Sequence, residues 1–210
     1  MQAAGIDDVA VVNQAAGGNA VLSGGLGPPL LERYRRDLLG TAGARYALVF
    51  EGVNDIGPAA NDTVTQECVA GDLIEAFRFI AADSRDAGIT AVLGATITPF
   101  TGEDQAYSGA ARENARRVVN DWILGVGGDH GRGGGFDAAV DFATVLADPE
   151  DPSVLAAEYD GGDHLHPNVA GYQALADVFP LDIFAARHGT KKTLPKSERR
   201  QRADRWLFAY

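Results

Sequence analysis

The sequence predicts an α/β fold in which a parallel sheet is covered by helices on both faces. Two observations carry this. Short β-branched or apolar runs alternate along the chain with longer amphipathic stretches, the rhythm of a parallel sheet with helical crossovers. One of the runs, "YALVF" at 46–50, is apolar at every position, as a strand buried on both sides must be.

The first strand is "VAVVN" (9–13), followed by the glycine-bearing connection "QAAGGNAVL". A helix is expected over "PPLLERYRRDLL" (28–39). After the second strand, 46–50, comes "EGVNDIG", a turn sequence. Helical spacing of Leu73, Ile74, Phe77 and Ile80 predicts a helix over 69–88, with Gly88 as its stop. "TAVLGATI" (90–97) and "FDAAVDF" (136–142) read as the third and fourth strands. Between them lies a helix over 108–124, with Ser108 as its expected N-cap. The glycine-rich segment 125–136 reads as a connection and lacks the Gly-Lys-Ser/Thr ending of a phosphate loop. A last helix is expected to begin near Asn168. Trp122 and Phe79 are expected in the core, Thr98, Pro99 and Phe100 are candidates to line a pocket, and Pro149 and Pro152 mark a surface loop.

The 210 residues are enough for one domain with a full core. No run approaches the length of about 18 apolar residues that a membrane-spanning helix needs, and the start "MQAAGIDDVAVVNQ" has no basic end of a secretory signal. The single cysteine, Cys68, leaves the redox compartment unread. Charge is uneven. From Arg187 onward eight Lys/Arg face two acids, about +6, so the formal total of −11 leaves about −17 on residues 1–186. Such an acidic body argues against nucleic acid or an anionic membrane as the main partner. The expected organisation is therefore an α/β domain over 1–186 and a basic tail over 187–210, solvated or weakly helical, that folds back on the acidic body.

Ligands of open parallel sheets bind at the carboxyl ends of the strands, so the segments after the strands are where chemistry is sought. "DHLHPN" (163–168) places Asp163 three residues before His166, the arrangement of a carboxylate that orients an imidazole base. Asn54, after a buried strand, can offer a side-chain amide to a developing oxyanion, and Gly18 a backbone N–H with no side chain in the way. Each has a plainer reading: an ordinary turn at Asn54, a tight connection at Gly17–Gly18, a helix cap at Asp163. Asp55 is expected to brace the Asn54 turn through backbone hydrogen bonds.

Taken together, "VVNQAAGGN", "GVND" and "DHLH" resemble three successive blocks of the SGNH hydrolases, also called the GDSL esterase/lipase family, over about Val9 to Phe184. The wider phrases "YALVFEGVNDIG" and "GDHLHPNVAGYQALAD" resemble a bacterial and fungal branch whose members are often secreted. The resemblance implies a flavodoxin-like three-layer α/β/α fold and a carboxylic ester hydrolase that needs no metal or cofactor. It implies Gly18 and Asn54 as oxyanion donors, Asp163 and His166 as the acid and base of a triad, and a small-molecule or carbohydrate ester as substrate. It also implies something the chain does not offer. The family opens with a strand ending in Gly-Asp-Ser, whose serine is the nucleophile, and only "MQAAGIDD" precedes the first block here. Of the five serines, Ser108 and Ser197 read as helix caps, Ser84 lies late in a helix and Ser153 opens a turn. Ser23, in "LSGGLG", remains a weak candidate.

In the family the absent strand lies centrally, between the strands corresponding to 9–12 and 46–50. Losing about five buried apolar side chains at roughly 1.5–3 kcal/mol each would remove about 7–15 kcal/mol, as much as a whole domain's stability of about 5–15 kcal/mol. Either the chain is a truncated product, the favoured expectation, or the two flanking strands pair directly. Two other functions stay open. One is a non-catalytic module that binds acyl or sugar ligands through the same pocket. The other is a metal-dependent hydrolase using His164 and His166 with Asp163, Asp160 and His130.

Overall fold

The structure is a computed structural model that describes Ile6, residues 8–125 and 135–185, and the backbone of 204–209. Five parallel strands form one sheet in the order β1-β5-β2-β3-β4. They are β1 (Val9–Asn13), β2 (Ala44–Val49), β3 (Ala91–Ala95), β4 (Ala138–Val140) and β5 (Asp204–Ala209). The first four fall where the apolar runs predict them.

Period-two alternation splits the buried side chains between two cores. Ala47, Val49 and Val92 face one side with the long helices α3 (Thr63–Asp86) and α4 (Ala110–Leu124) and the shorter α1 (Leu30–Tyr34). Tyr46, Leu48, Ala91, Leu93 and Ala95 face the other, with α5 (Phe142–Leu146), α6 (Val169–Asp177) and α7 (Asp182–Ala185). A sheet covered on both faces is the three-layer α/β/α architecture expected.

Local chemistry accounts for the helix bounds. α3 begins six residues before its expected start because Asp62 caps it, its carboxylate accepting the Thr65 N–H at 2.9 Å. Gly88, at φ +95°, takes the left-handed turn that stops it. The helix expected over 28–39 is α-helical only through Tyr34 and then widens into a π turn over Arg35–Leu39. Ser108 does not cap α4. Its hydroxyl bonds both the N–H and the C=O of Gly102, at 2.9 and 2.8 Å, and Gly109 stands at the cap position. Trp122 is half-buried against Phe77 and Phe136, whereas Phe79, expected in the core, is 51% exposed. Phe100 is fully buried and belongs to the core rather than to a pocket wall.

The centre of the sheet differs from the expectation that the two flanking strands pair directly. β1 and β2 do not pair with each other. β5, drawn from the segment expected to be a basic appendage, runs parallel between them, pairing Asn13 with Phe208 on one side and Val49 with Ala209 on the other. The rest of that segment, 187–203 and Tyr210, lies outside the described residues, as do Ser197, His130 and most of the glycine-rich connection.

Candidate functional site

Because all five strands are parallel, the segments following β1, β2 and β3 emerge at one edge of the sheet. After β1 the chain turns at Gly18, whose φ of +69° and contact with the Leu26 side chain leave no room for a Cβ. The Gly18 carbonyl accepts the Leu26 N–H at 2.8 Å. Asn19, 1% exposed, donates to the Pro28 carbonyl at 2.7 Å, and its Oδ1 accepts Nε of Arg33, also at 2.7 Å.

Arg33 sits beneath these loops, 4% exposed, and donates also to the Gln14 carbonyl at 2.8 Å and to Asp37 and Glu51 at 3.2 Å each. Glu51, just past β2, is equally buried. Loss of hydration pushes its carboxyl up to about 8; Arg33 opposes this and the nearby Asp55 adds to it. The 3.2 Å contact and the raised value point in opposite directions, and burial outweighs the guanidinium.

Gly52, at φ +121° and packed on Ile97, then admits α2 (Val53–Ile56). Asn54 donates from Nδ2 to the Asn19 carbonyl at 3.0 Å and accepts a long 3.4 Å bond from the Tyr107 hydroxyl. An amide NH₂ carries two hydrogens, so one N–H of Asn54 remains beyond the bond to Asn19. Asp55 braces the neighbouring loop rather than its own turn: its carboxylate accepts the N–H of Val21 at 2.9 Å and of Leu22 at 2.9 Å. Burial raises its pKa and those two N–H groups oppose the rise. The loop bearing Gly18 and the turn bearing Asn54 are thus tied together directly.

The segment 101–108 links this unit to the histidine loop. Tyr107 lies against Gly57 and reaches Asn54, while Gln105 donates to the Asp163 carbonyl and Gly102 packs on the His164 ring. In the loop, Asp163 accepts the N–H groups of Leu165 and His166 through Oδ1, at 3.1 and 2.8 Å, and meets Nδ1 of His166 through Oδ2 at 2.6 Å. Burial works against the ionised Asp163, but the His166 backbone and ring and the Leu165 N–H together hold its carboxyl down at about 2. An ionised carboxylate only accepts, so the shared proton resides on Nδ1 and the lone pair of Nε2 faces outward. His166 is 64% exposed, and among the described residues its ring has no other hydrogen-bond partner. The arrangement can take a proton at Nε2.

Asp163 does not cap the last helix. Asn168 does, its Oδ1 accepting the Gly171 N–H at 3.0 Å. His164, at φ +58°, is held by a different carboxylate, Asp160, 2.7 Å from its Nδ1. The two histidines of "HLH" therefore each have their own acid, and among the described residues no group of three or more His, Cys, Asp or Glu is placed to hold a metal. Ser23 is exposed in the loop after β1. Ser84 is buried in α3, Ser153 bonds Asp151 and Thr101, and none of the described serines donates to His166. Sequence reasoning missed Asn19, Arg33, Glu51 and Tyr107. Arg33 reads as one more charge in "LERYRRD", and the signal available was Glu51, a carboxylate placed directly after an apolar strand.

No curated protein matches the chain. Among solved structures it is similar to an alpha/beta hydrolase enzyme from the metagenome of Lake Arreo, Spain, at 18% identity and a TM-score of 0.48, covering 71% of this chain and 64% of that one. It is similar also to Axe2, an acetylxylan esterase from Geobacillus stearothermophilus, at 18% identity and a TM-score of 0.44 with the same coverage, so it spans less than two thirds of either protein. No described helix is long and apolar enough to cross a membrane. The family model for GDSL-like lipases and acylhydrolases matches residues 1–174, most of the chain. The chain belongs to the GDSL-like lipase/acylhydrolase family.

Proposed function

We propose that this chain carries the acid–base and oxyanion parts of a carboxylic ester hydrolase site, acting on small-molecule or carbohydrate esters of acetyl or other acyl groups. Asp163 orients His166 and stabilises its imidazolium. His166 takes the proton of the attacking hydroxyl at Nε2 and returns it to the leaving alcohol. The Gly18 N–H and the remaining N–H of Asn54 receive the charge that develops on the carbonyl oxygen. The observation that carries this reading is the 2.6 Å contact between Asp163 and His166 with Nε2 open, in a loop joined to Asn54 through the segment bearing Gln105 and Tyr107.

With no described serine on Nε2, the base faces water, and hydrolysis by the chain as it stands is expected to be slow. Hydrolysis of p-nitrophenyl acetate tests the assignment. The rate above buffer should disappear in His166→Ala and persist in Ser23→Ala. Equal rates for the parent chain and His166→Ala would reject it. The same open Nε2 favours a second reading, a module that binds an acetylated sugar without cleaving it. Calorimetric titration with acetylated xylose giving heat, with no turnover, would select that reading.

A further inference from the structure

We infer that Leu26 forms the acyl wall of this site, so that the site favours ester acyl groups longer than acetyl. The inference rests on the ester-hydrolase reading above and deepens it by naming what the carbonyl carries.

An exposed leucine is ordinary by itself. Leu26 is 71% exposed, yet its backbone and side chain are held against the glycine proposed to receive the oxyanion. Its N–H donates to the Gly18 carbonyl at 2.8 Å, and its own carbonyl accepts a long 3.5 Å bond from Asn19 Nδ2. The residues on either side, Gly25 and Gly27, stand at φ +73° and +81°, and Asn19 and Gly25 form an antiparallel bridge. A Cβ on Gly25 would meet the Gly18 carbonyl oxygen at 2.6 Å, so this close pairing needs the glycine. The Leu26 Cγ and Cδ1 fill the place that a Cβ on Gly18 would take, 2.9 and 2.8 Å from it. The loop thus fixes an apolar side chain at the glycine while leaving most of it open to solvent.

Direction decides which half of the ester Leu26 meets. β1 forms one edge of the sheet, and the loop after it carries Gly18 and Leu26. Asn54 follows β2 and is tied to that loop through the Asn19 carbonyl at 3.0 Å. The segment after β3, farther across the sheet, holds the histidine loop through Gln105 and Gly102. A carbonyl bound by the Gly18 and Asn54 N–H groups therefore has His166 toward β3 and Leu26 toward β1. His166 returns its proton to the leaving oxygen, so the alcohol must lie on the His166 side. The acyl chain takes the opposite direction and lies along Leu26. Contact with an apolar side chain removes methylene surface from water, a gain that acetyl, with no methylene, forgoes.

Binding of uncharged, unreactive ester mimics tests this without relying on turnover. N-methylacetamide, N-methylpropanamide and N-methylbutanamide are titrated into the parent chain, Leu26→Ser and Leu26→Met. NMR follows the Gly18 N–H, the Asn54 amide, the His166 ring and the Leu26 methyls. In the parent chain, affinity should rise about 2–4-fold per added methylene, and the Leu26 methyls should shift progressively more along the series. Leu26→Met should keep the rise and Leu26→Ser should abolish it. The methyl shifts of the parent chain decide the matter even if Leu26→Ser does not fold. Leu26 methyls that stay put while the Gly18 and Asn54 signals move overturn the inference and leave the ester-hydrolase reading standing. Equal affinity for all three amides in the parent chain, or a rise that survives in Leu26→Ser, does the same. If no amide moves the Gly18, Asn54 or His166 signals, both fall.

Discussion

The loops bearing Gly18 and Asn54 are held from beneath by buried charge, whereas His166 is held by a carboxylate three residues away in an exposed loop. Arg33 and Glu51 are 4% and 3% exposed at their side chains, while His166 and Asp163 are 64% and 51% exposed. The first arrangement positions backbone and amide donors through long-range contacts that exist only when the whole fold is formed. The second is a self-contained turn that orients a ring with few neighbours. Substitutions in the two regions should consequently separate stability from chemistry.

The largest effect is expected at Arg33. Arg33→Leu strips the buried Asn19, the Gln14 carbonyl and the Glu51 carboxyl of a donor, at about 1–3 kcal/mol for each group orphaned and about 3–5 kcal/mol in all. Urea unfolding followed by circular dichroism reads it, and a loss below about 1 kcal/mol would erase the contrast between the regions. Glu51 sharpens it next. Its folded pKa, about 8, lies above its ordinary value, so the stability it contributes is fully present below about 4.5 and is lost as pH rises through about 8. Thermal unfolding should show stability declining across that window in the parent protein, and a flatter profile in Glu51→Gln. Asp55→Ala, which frees the Val21 and Leu22 N–H groups, should cost about 1–3 kcal/mol by urea unfolding. Asp163→Asn keeps an acceptor for the Leu165 and His166 N–H groups and loses a solvent-screened contact to the ring, so it should cost no more than about 1 kcal/mol at pH 7. It turns an amide NH₂ toward Nδ1, forces the proton onto Nε2, and should bring ester hydrolysis down to the buffer rate.

The two regions were also unequally legible in the sequence. Asp163 and His166 sit three residues apart, so their contact is implied by the sequence itself. Asn54 and Gly18 stand out by their place after strands. The Arg33 bracket joins Arg33 to Gln14, Asn19 and Glu51, 14 to 19 positions away, and nothing in "LERYRRDLL" distinguishes Arg33 from its neighbours, Arg35 and Arg36, which are exposed at their side chains. β5 was hidden more thoroughly. Strand pairing with partners some 160 to 195 residues away leaves no local periodicity, and the basic run before it dominated the reading of its composition. Yet "WLFAY" has the unbroken apolar character of a central strand, the same signal that identified "YALVF". The capping residues missed, Asp62 and Gly109, lie one position before α3 and α4, the first well ahead of the expected helix start and the second just inside the expected range, where hydrophobic spacing carries no information on the cap.

The central claim is that the two differently built regions serve one reaction. The most direct test is a double-mutant cycle on p-nitrophenyl acetate hydrolysis with Asn54→Ala and His166→Ala. If both groups act in the same transition state, the double variant is no slower than His166→Ala alone, because groups that work as a unit are not additive. Independent, multiplying losses in kcat/KM would show that Asn54 and His166 do not share a site, and would contradict the account.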